Sequence, residues 1–298
     1  MAKGKEEEPP EEAADEEPPP VDLTEMMAKL AEDASDADKV AGLKELRALP
    51  GDDRHAAAIT EAGTLPLLFA AVKSEAAAVA TAACRAAATI TGHPTPVRRE
   101  IADSLEYVST LWMLMDTKKE PKTPPLVLDA ALRALTNVVN VDAEGLYNCV
   151  NVGLRVAVRP THDYAMQYPV QLLSHPSKKV QLRVLKLLSA FCRDSKVRDV
   201  SLRQGDAWVA ARDLAAPLAS ESAPIRAAAA RLVGDLAVDV SPFNPDVADS
   251  GVVGLLVGLL AGESLEAQEE AATALAAICR NSTVASRAAL SAGVGAQG

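Results

Sequence analysis

The sequence predicts an all-α protein, a solenoid of about five to six repeats of three helices each. The first observation is composition: 49% of the residues are hydrophobic, yet only 3% are aromatic, so the apolar mass is alanine, leucine and valine. Alanine has the highest helix propensity and lets helices approach closely. The second and third observations are two short sequence phrases that recur along the chain. Together they predict tandem helical units rather than one globular core.

The first phrase is an apolar residue, a few small or polar residues, and then glycine before an apolar helix. It ends at Gly63, Ser104 (serine in place of glycine), Gly153, Gly205, Gly251 and Gly293. The successive spacings are 41, 49, 52, 46 and 42 residues, and a period of about 40–50 residues is typical of helical arrays. Because glycine adopts the left-handed conformation that ends many helices, we expect these positions to be turns between helices.

The second phrase is an alanine- and leucine-rich helix that precedes a polar turn. It occurs at 79–92, 129–140, 181–193, 225–237 and 267–280. Apolar residues recur in each at the i, i+3, i+4 and i+7 positions of one helical face. A middle helix, such as 65–74 or 253–262, lies between the two phrases. We therefore interpret the second phrase as the third helix of each repeat.

Three segments follow from the charge and apolar patterns. Residues 1–20 contain eight acidic residues against two lysines and almost nothing apolar except alanine, so we expect a disordered acidic, proline-rich tail. Residues 21–293 form the repeat domain, and 294–298 a flexible C-terminus. The first ten residues show no secretory pattern, no run is long enough to cross a membrane, and the four cysteines are widely spaced. We expect a cytoplasmic protein with reduced thiols.

Two segments carry a resemblance to a known family. Residues 59–92 and 247–282 resemble armadillo repeats, and the resemblance extends over about 39–293, with insertions in the middle units. HEAT repeats are the close alternative, but the glycine before the second helix favours armadillo. The resemblance implies a right-handed superhelix whose third helices line a concave groove.

The sequence contains no catalytic constellation. No phosphate-binding loop, serine nucleophile elbow or zinc-protease motif is present. His162 and His175 could be imagined as a metal pair, but exposed loop histidines are the favoured interpretation. Cys192 and Cys279 fall at one repeat position, which elsewhere holds Val139 or Ala237; this favours a small core position over redox sensing. We predict a non-enzyme with no cofactor or metal.

The third helices carry the functional signal. Peptide-binding armadillo proteins commonly have a column of asparagines there, with tryptophan one turn earlier. In this chain only Asn137 fits the asparagine column, and the tryptophan column is replaced by Arg85, Arg133, Lys186 and Arg231. This departs from the pattern of nuclear import receptors. A basic row selects acidic segments; in the alternative interpretation each base pairs with a neighbouring acid, as Arg231 could with Asp235 four residues later.

Two insertions and two tryptophans offer further candidates. The loops at 118–125 and 160–169 interrupt their repeats, and the second contains Tyr164 and Tyr168 between prolines. This tyrosine pair could anchor a partner or pack beneath the loop. Trp112 and Trp208 are interpreted as core residues between repeats.

The functional prediction is a protein–protein interaction scaffold that holds an acidic or extended segment of a partner. The acidic tail could be such a segment in cis. A net charge of −11 argues against nucleic acid as a partner. The high alanine content resembles that of green-algal proteins, in which armadillo scaffolds are common in the ciliary axoneme, so a ciliary assembly is one expectation. The alternative is a nucleotide exchange factor of 70-kDa heat-shock chaperones.

Overall fold

The computed structural model describes residues 21–116, 122–141, 144–149, 167–195, 198, 209–238, 247 and 250–295, and the described part contains helices and turns but no strand. The predicted tail at 1–20 lies outside the described residues. The helices are α1 Thr24–Leu30, α2 Asp36–Ala48, α3 Asp53–Glu61, α4 Thr64–Val72, α5 Ala77–Ile90, α6 Thr95–Asp103, α7 Leu105–Met113, α8 Pro125–Val139, α9 Gln167–Leu172, α10 Lys178–Phe191, α11 Ala211–Leu218, α12 Ala223–Ala237, α13 Val252–Leu260, α14 Leu265–Asn281 and α15 Thr283–Gly295. Residues 144–149 are also helical.

Six helices of 13 to 17 residues form one layer of the molecule. They are α2, α5, α8, α10, α12 and α14, and each packs against the next in sequence order. A shorter helix packs behind each of five members: α4 on α5, α7 on α8, α9 on α10, α11 on α12 and α13 on α14. This is the predicted all-α solenoid, and the predicted third helices are confirmed as the members of this layer from α5 onward.

Three of the turns that precede a second helix can be compared, at Gly63, Ser104 and Gly251. Gly63 has φ 66° and Gly251 has φ 76°, and each immediately precedes a second helix. Both are in the left-handed region, where a Cβ is disfavoured, so the predicted turn is confirmed there. Ser104 begins its helix without the left-handed conformation. It has φ −85°, and its Oγ accepts a hydrogen bond from the Tyr107 N–H at 3.3 Å.

The last glycine phrase behaves differently from the prediction. Gly293 lies inside α15, which continues to Gly295, so no turn forms there and the expected domain boundary at 293 falls within a helix. Gly153 and Gly205 lie outside the described residues.

Trp112 shows how consecutive repeats are joined. Its side chain is fully buried, its ring lies parallel to Phe191 with centroids 6.0 Å apart, and its indole N–H donates to the Cys149 carbonyl at 3.1 Å. Since Trp112 belongs to α7 and Phe191 to α10, the tryptophan is an inter-repeat core residue, as predicted. Trp208 lies outside the described residues.

Candidate functional site

The site is built on the surface of the α2–α14 layer that points away from the second helices; we call it the third-helix face. Leucine, valine and alanine of these helices are buried against the second helices and against each other, which leaves the opposite stripe of each helix in solvent. The predicted basic column lies on this stripe, because all four of its members are exposed: Arg85, Arg133, Lys186 and Arg231. The four predicted bases are thus exposed on four successive helices of this layer, α5, α8, α10 and α12.

The pairing of these bases distinguishes the two interpretations of the column. Arg231 Nη1 lies 3.6 Å from Glu270 Oε1 on α14. Arg231 therefore pairs with an acid of a neighbouring helix, but the partner is Glu270 and not Asp235. Among the described residues, Arg85, Arg133 and Lys186 have no carboxylate oxygen within 4.0 Å. Three of the four bases thus keep their charge unpaired.

Two further bases extend the row toward the N-terminus. Lys44 and Arg47 of α2 are exposed, have no carboxylate within 4.0 Å in the described part of the chain, and face Arg85 across a cleft of about 450 Å³. Sequence reasoning missed them because α2 lacks the alanine-rich phrase. One signal was available: Gly51 and Gly92 are 41 residues apart, and the same offset takes Lys44 to Arg85.

Asn137 makes contacts within the protein. Its Nδ2 donates to the Ala88 carbonyl and to Thr91 Oγ1 of the preceding repeat, both at 3.2 Å. The Ala88 carbonyl lies in the last turn of α5, and carbonyls at such helix ends can need a partner from outside the helix. Asn137 therefore joins two repeats, and its amide donors are engaged before any ligand arrives. Asn281 makes a similar contact with the Ala237 carbonyl at 2.9 Å.

Asp235 occupies the asparagine-column position in α12. Burial raises the pKa of its carboxyl group, while the positive charge of Arg231 acts in the opposite direction. The carboxylate is half-buried, so it is costly to keep charged.

The cysteines show the properties of core residues. Burial raises the pKa of the Cys84, Cys149 and Cys192 thiols to about 12, so they are protonated and unreactive near neutral pH. At the shared repeat position Val139 and Ala237 are buried, whereas Cys192 and Cys279 are half-buried. The small core position is thus only partly covered where it holds cysteine.

The histidines and tyrosines do not assemble into a site in the described structure. Nδ1 of His175 accepts the Ser177 N–H at 3.0 Å, and within the described residues no group of three His, Cys, Asp or Glu side chains could hold a metal ion. Tyr168, in α9, is only 2% exposed, which corresponds to packing in the core and not to an exposed anchor. His162 and Tyr164 lie outside the described residues.

Hydropathy adds one observation. In the described residues no single helix is long and apolar enough to cross a membrane; α3 and α4 pass this test only as a pair, bent by 80°.

Comparison with known proteins agrees with this geometry. Residues 245–280 match the model of the Armadillo/beta-catenin-like repeat. The described part of the chain has the fold of an armadillo-type α-solenoid. A search of curated proteins finds no match, so the remaining similarity of this armadillo solenoid is to solved structures.

Three of the similar solved structures are engineered proteins. A designed armadillo repeat protein in complex with the peptide (KR)4 has a TM-score of 0.71 and 18% identity, over 87% of this chain and 100% of that one. Another, described as computationally designed for modular peptide recognition, has a TM-score of 0.70 and 18% identity, over 86% and 99%. A further engineered protein has a TM-score of 0.71 and 22% identity, over 88% and 98%. At these identities the likeness shows the fold.

Proposed function

We propose that this armadillo solenoid is a protein-binding scaffold whose third-helix face holds an acidic, extended segment of a partner. The observation that carries the proposal is the row of exposed bases without a carboxylate within 4.0 Å among the described residues: Lys44, Arg47, Arg85, Arg133 and Lys186. Adjacent like charges repel each other, and an acidic segment would replace that repulsion by charge-assisted hydrogen bonds. Arginine is suited to this role because its planar fork binds carboxylates at two points.

The extended form of the ligand follows from the spacing of the bases. Neighbouring third helices pack about 8–10 Å apart, so the row advances by about three residues of an extended chain per repeat. Two of the similar solenoids are described as binding or recognising peptides, and the peptide (KR)4 of one is basic. The row in this chain has the same sign as that peptide, which supports a ligand of opposite charge here.

The test is binding of a fluorescein-labelled peptide of alternating glutamate and serine to the full chain, followed by anisotropy. We expect the double variant Arg85→Glu/Arg133→Glu to bind about 100-fold more weakly, with about tenfold from each reversed charge. Arg287→Glu is the matched control, since Arg287 is exposed on α15, outside the third-helix layer, and it should bind as the wild type does.

The ionic strength and the sign of the peptide supply the second comparison. Affinity for the acidic peptide should fall from low to physiological salt. A lysine–serine peptide of the same length should not bind. If both peptides bind equally, or if the Arg287→Glu control is as impaired as the double variant, the basic row is not the binding surface.

The finer assignments from the sequence stay predictions. They are a ciliary assembly, a cytoplasmic location, the absence of catalysis, occupation of the face by the acidic tail, and the alternative of chaperone nucleotide exchange. The alternative has its own assay: acceleration of ADP release from a 70-kDa heat-shock chaperone on addition of the full chain, compared with Arg85→Glu/Arg133→Glu.

A further inference from the structure

A second cleft opens beside helices α4, α5, α7 and α8; we call it the edge cleft. It measures about 1040 Å³ and lies between the turn from α4 to α5, helix α7 and the start of α8. Val72, Met113, Leu114 and Val127 contribute its apolar wall, and Met113 is 36% exposed. Methionine adapts its shape to different apolar guests, so this wall can accept a bulky side chain.

The charges that line the edge cleft balance. Lys73 and Glu106 form an ion pair across its rim at 2.6 Å, and Glu75 and Lys122 add one charge of each sign. The basic cleft beside it differs, because its charged side chains are Lys44, Arg47 and Arg85. The basic cleft therefore favours acidic groups, while the edge cleft has no net charge to attract them and is suited to an apolar group.

The two clefts adjoin each other along α5. Ala77 and Thr81 line both of them, on adjacent turns of α5. From Ala77 to Arg85 is eight residues along this helix, about 12 Å at the α-helical rise. An extended segment covers that distance in about four residues.

We propose that the occupant of these adjoining clefts is an extended partner segment with two parts, a run of acidic residues and a bulky apolar residue about four positions away. The acidic run lies on Lys44, Arg47 and Arg85, and the apolar side chain enters the edge cleft. This inference rests on the proposed function and adds the apolar determinant. Residues 1–20 of the chain offer acidic groups but no bulky apolar residue other than Met1, so the tail would satisfy the charged part alone and a two-part partner would displace it.

The experiment compares two acidic peptides on the full chain, identical except for leucine or serine four residues after the acidic run. We expect the leucine peptide to bind about tenfold more tightly, the effect of burying one such side chain. Ala80→Phe adds a ring inside the edge cleft, at a half-buried residue that does not line the basic cleft, and it should abolish this preference without weakening the serine peptide. Ala272→Phe is the matched control, an exposed alanine of α14 far along the layer, and should keep the preference.

The outcomes separate this inference from the proposed function. Equal affinity of the two peptides for the wild type overturns the apolar determinant and leaves the basic row intact. Loss of the preference in both phenylalanine variants also overturns it, because the edge cleft would then not be its cause. If neither peptide binds, or if both bind Arg85→Glu as tightly as the wild type, the proposed function fails as well. Circular dichroism of each variant confirms that it is folded.

Discussion

At the scale of single residues, Asn137 and Asp235 occupy the same repeat position, and their side chains have opposite effects on the stability of the joint between repeats. The Asn137 amide supplies donors to a carbonyl and a hydroxyl of the preceding repeat. Asp235 places a half-buried carboxylate there, and burial raises its pKa. The position therefore serves the joint between repeats, and a neutral amide suits it better than a charge.

Removing the Asn137 amide should weaken this joint. We expect Asn137→Ala to lower the free energy of unfolding by about 1–2 kcal/mol, because the Ala88 carbonyl and Thr91 hydroxyl lose a donor. Urea denaturation measures this. Asn140→Ala is the control: its Oδ1 accepts from the exposed Arg193 at 2.5 Å, and loss of this surface contact should cost less than about 0.5 kcal/mol. Equal losses would contradict the special role of Asn137.

Replacing the Asp235 carboxylate by an amide should stabilise the protein in a pH-dependent way. A raised folded pKa means that the native state binds the proton more tightly, so stability falls as pH rises above the ordinary value of 3.8. Asp235→Asn should therefore raise the melting temperature at pH 7, and the gain should vanish below about pH 4, where the aspartate is protonated in both states.

The control for Asp235 is a carboxylate with the opposite contribution. Asp129 Oδ1 lies 3.1 Å from Arg183 Nε in a half-buried pair, so Asp129→Asn should leave the melting temperature unchanged or lower it. Thermal melts at both pH values distinguish the two variants. A lower melting temperature for Asp235→Asn at pH 7 would show that the attraction of the carboxylate to the nearby positive charges outweighs the cost of its burial.

At the scale of elements, the repeats are held by side chains that cross from one helix set to the next. Trp112 of α7 reaches Phe191 of α10 and the carbonyl of Cys149. Phe69 of α4 stacks on Tyr107 of α7 at 4.3 Å between ring centroids. These aromatic contacts join helices of different repeats, α4 with α7 and α7 with α10. The few aromatic residues of the chain, 3% of its sequence, therefore include four that pack between repeats.

Truncating Trp112 should be among the most destabilising single changes. We expect Trp112→Ala to lower the free energy of unfolding by about 3–5 kcal/mol because of the cavity it leaves. Trp112→Phe should lower it less, since it keeps an aromatic ring and loses only part of the side chain and the hydrogen bond to the Cys149 carbonyl. The check is chemical denaturation, with Leu126→Ala as control; Leu126 is 59% exposed, so its truncation should be nearly neutral. A small effect of Trp112→Ala would mean that the repeats are not joined there.

At the scale of the whole molecule, the stacking of the repeats combines short sequence patterns into one charged surface. Each repeat contributes about one base, and only the side-by-side order of the third helices makes these bases a row. The row begins on α2, a helix that does not share the alanine-rich phrase of the others. A segment bound to this face would therefore contact several repeats at once.

This continuity predicts that Lys44 acts together with Arg85, although 41 residues separate them. We expect Lys44→Glu to weaken binding of the acidic peptide by about tenfold, and its effect to be non-additive with Arg85→Glu because both contact the same ligand groups. Anisotropy titrations of the single and double variants measure the coupling. Full additivity would place the two bases on separate sites.

Local rules made much of the fold predictable. The period of the two phrases predicted the solenoid and its third helices, and the glycine pattern predicted left-handed turns at Gly63 and Gly251. At Gly293 the same pattern predicted a turn, but this residue lies within helix α15. The helical register likewise predicted the column of Arg85, Arg133 and Lys186, since residues four apart share a face.

The chain by itself thus determined the helices, their repeat and the face on which the bases lie, because these depend on periodicity and turn chemistry. The tertiary structure decided which charges are paired, because contacts such as Arg231 with Glu270 and Arg183 with Asp129 join helices far apart in sequence. It also decided that Tyr168 is buried, that the Asn137 amide is engaged, and that Lys44 joins the row. These depend on how closely one repeat stacks on the next, a distance that no sequence pattern states.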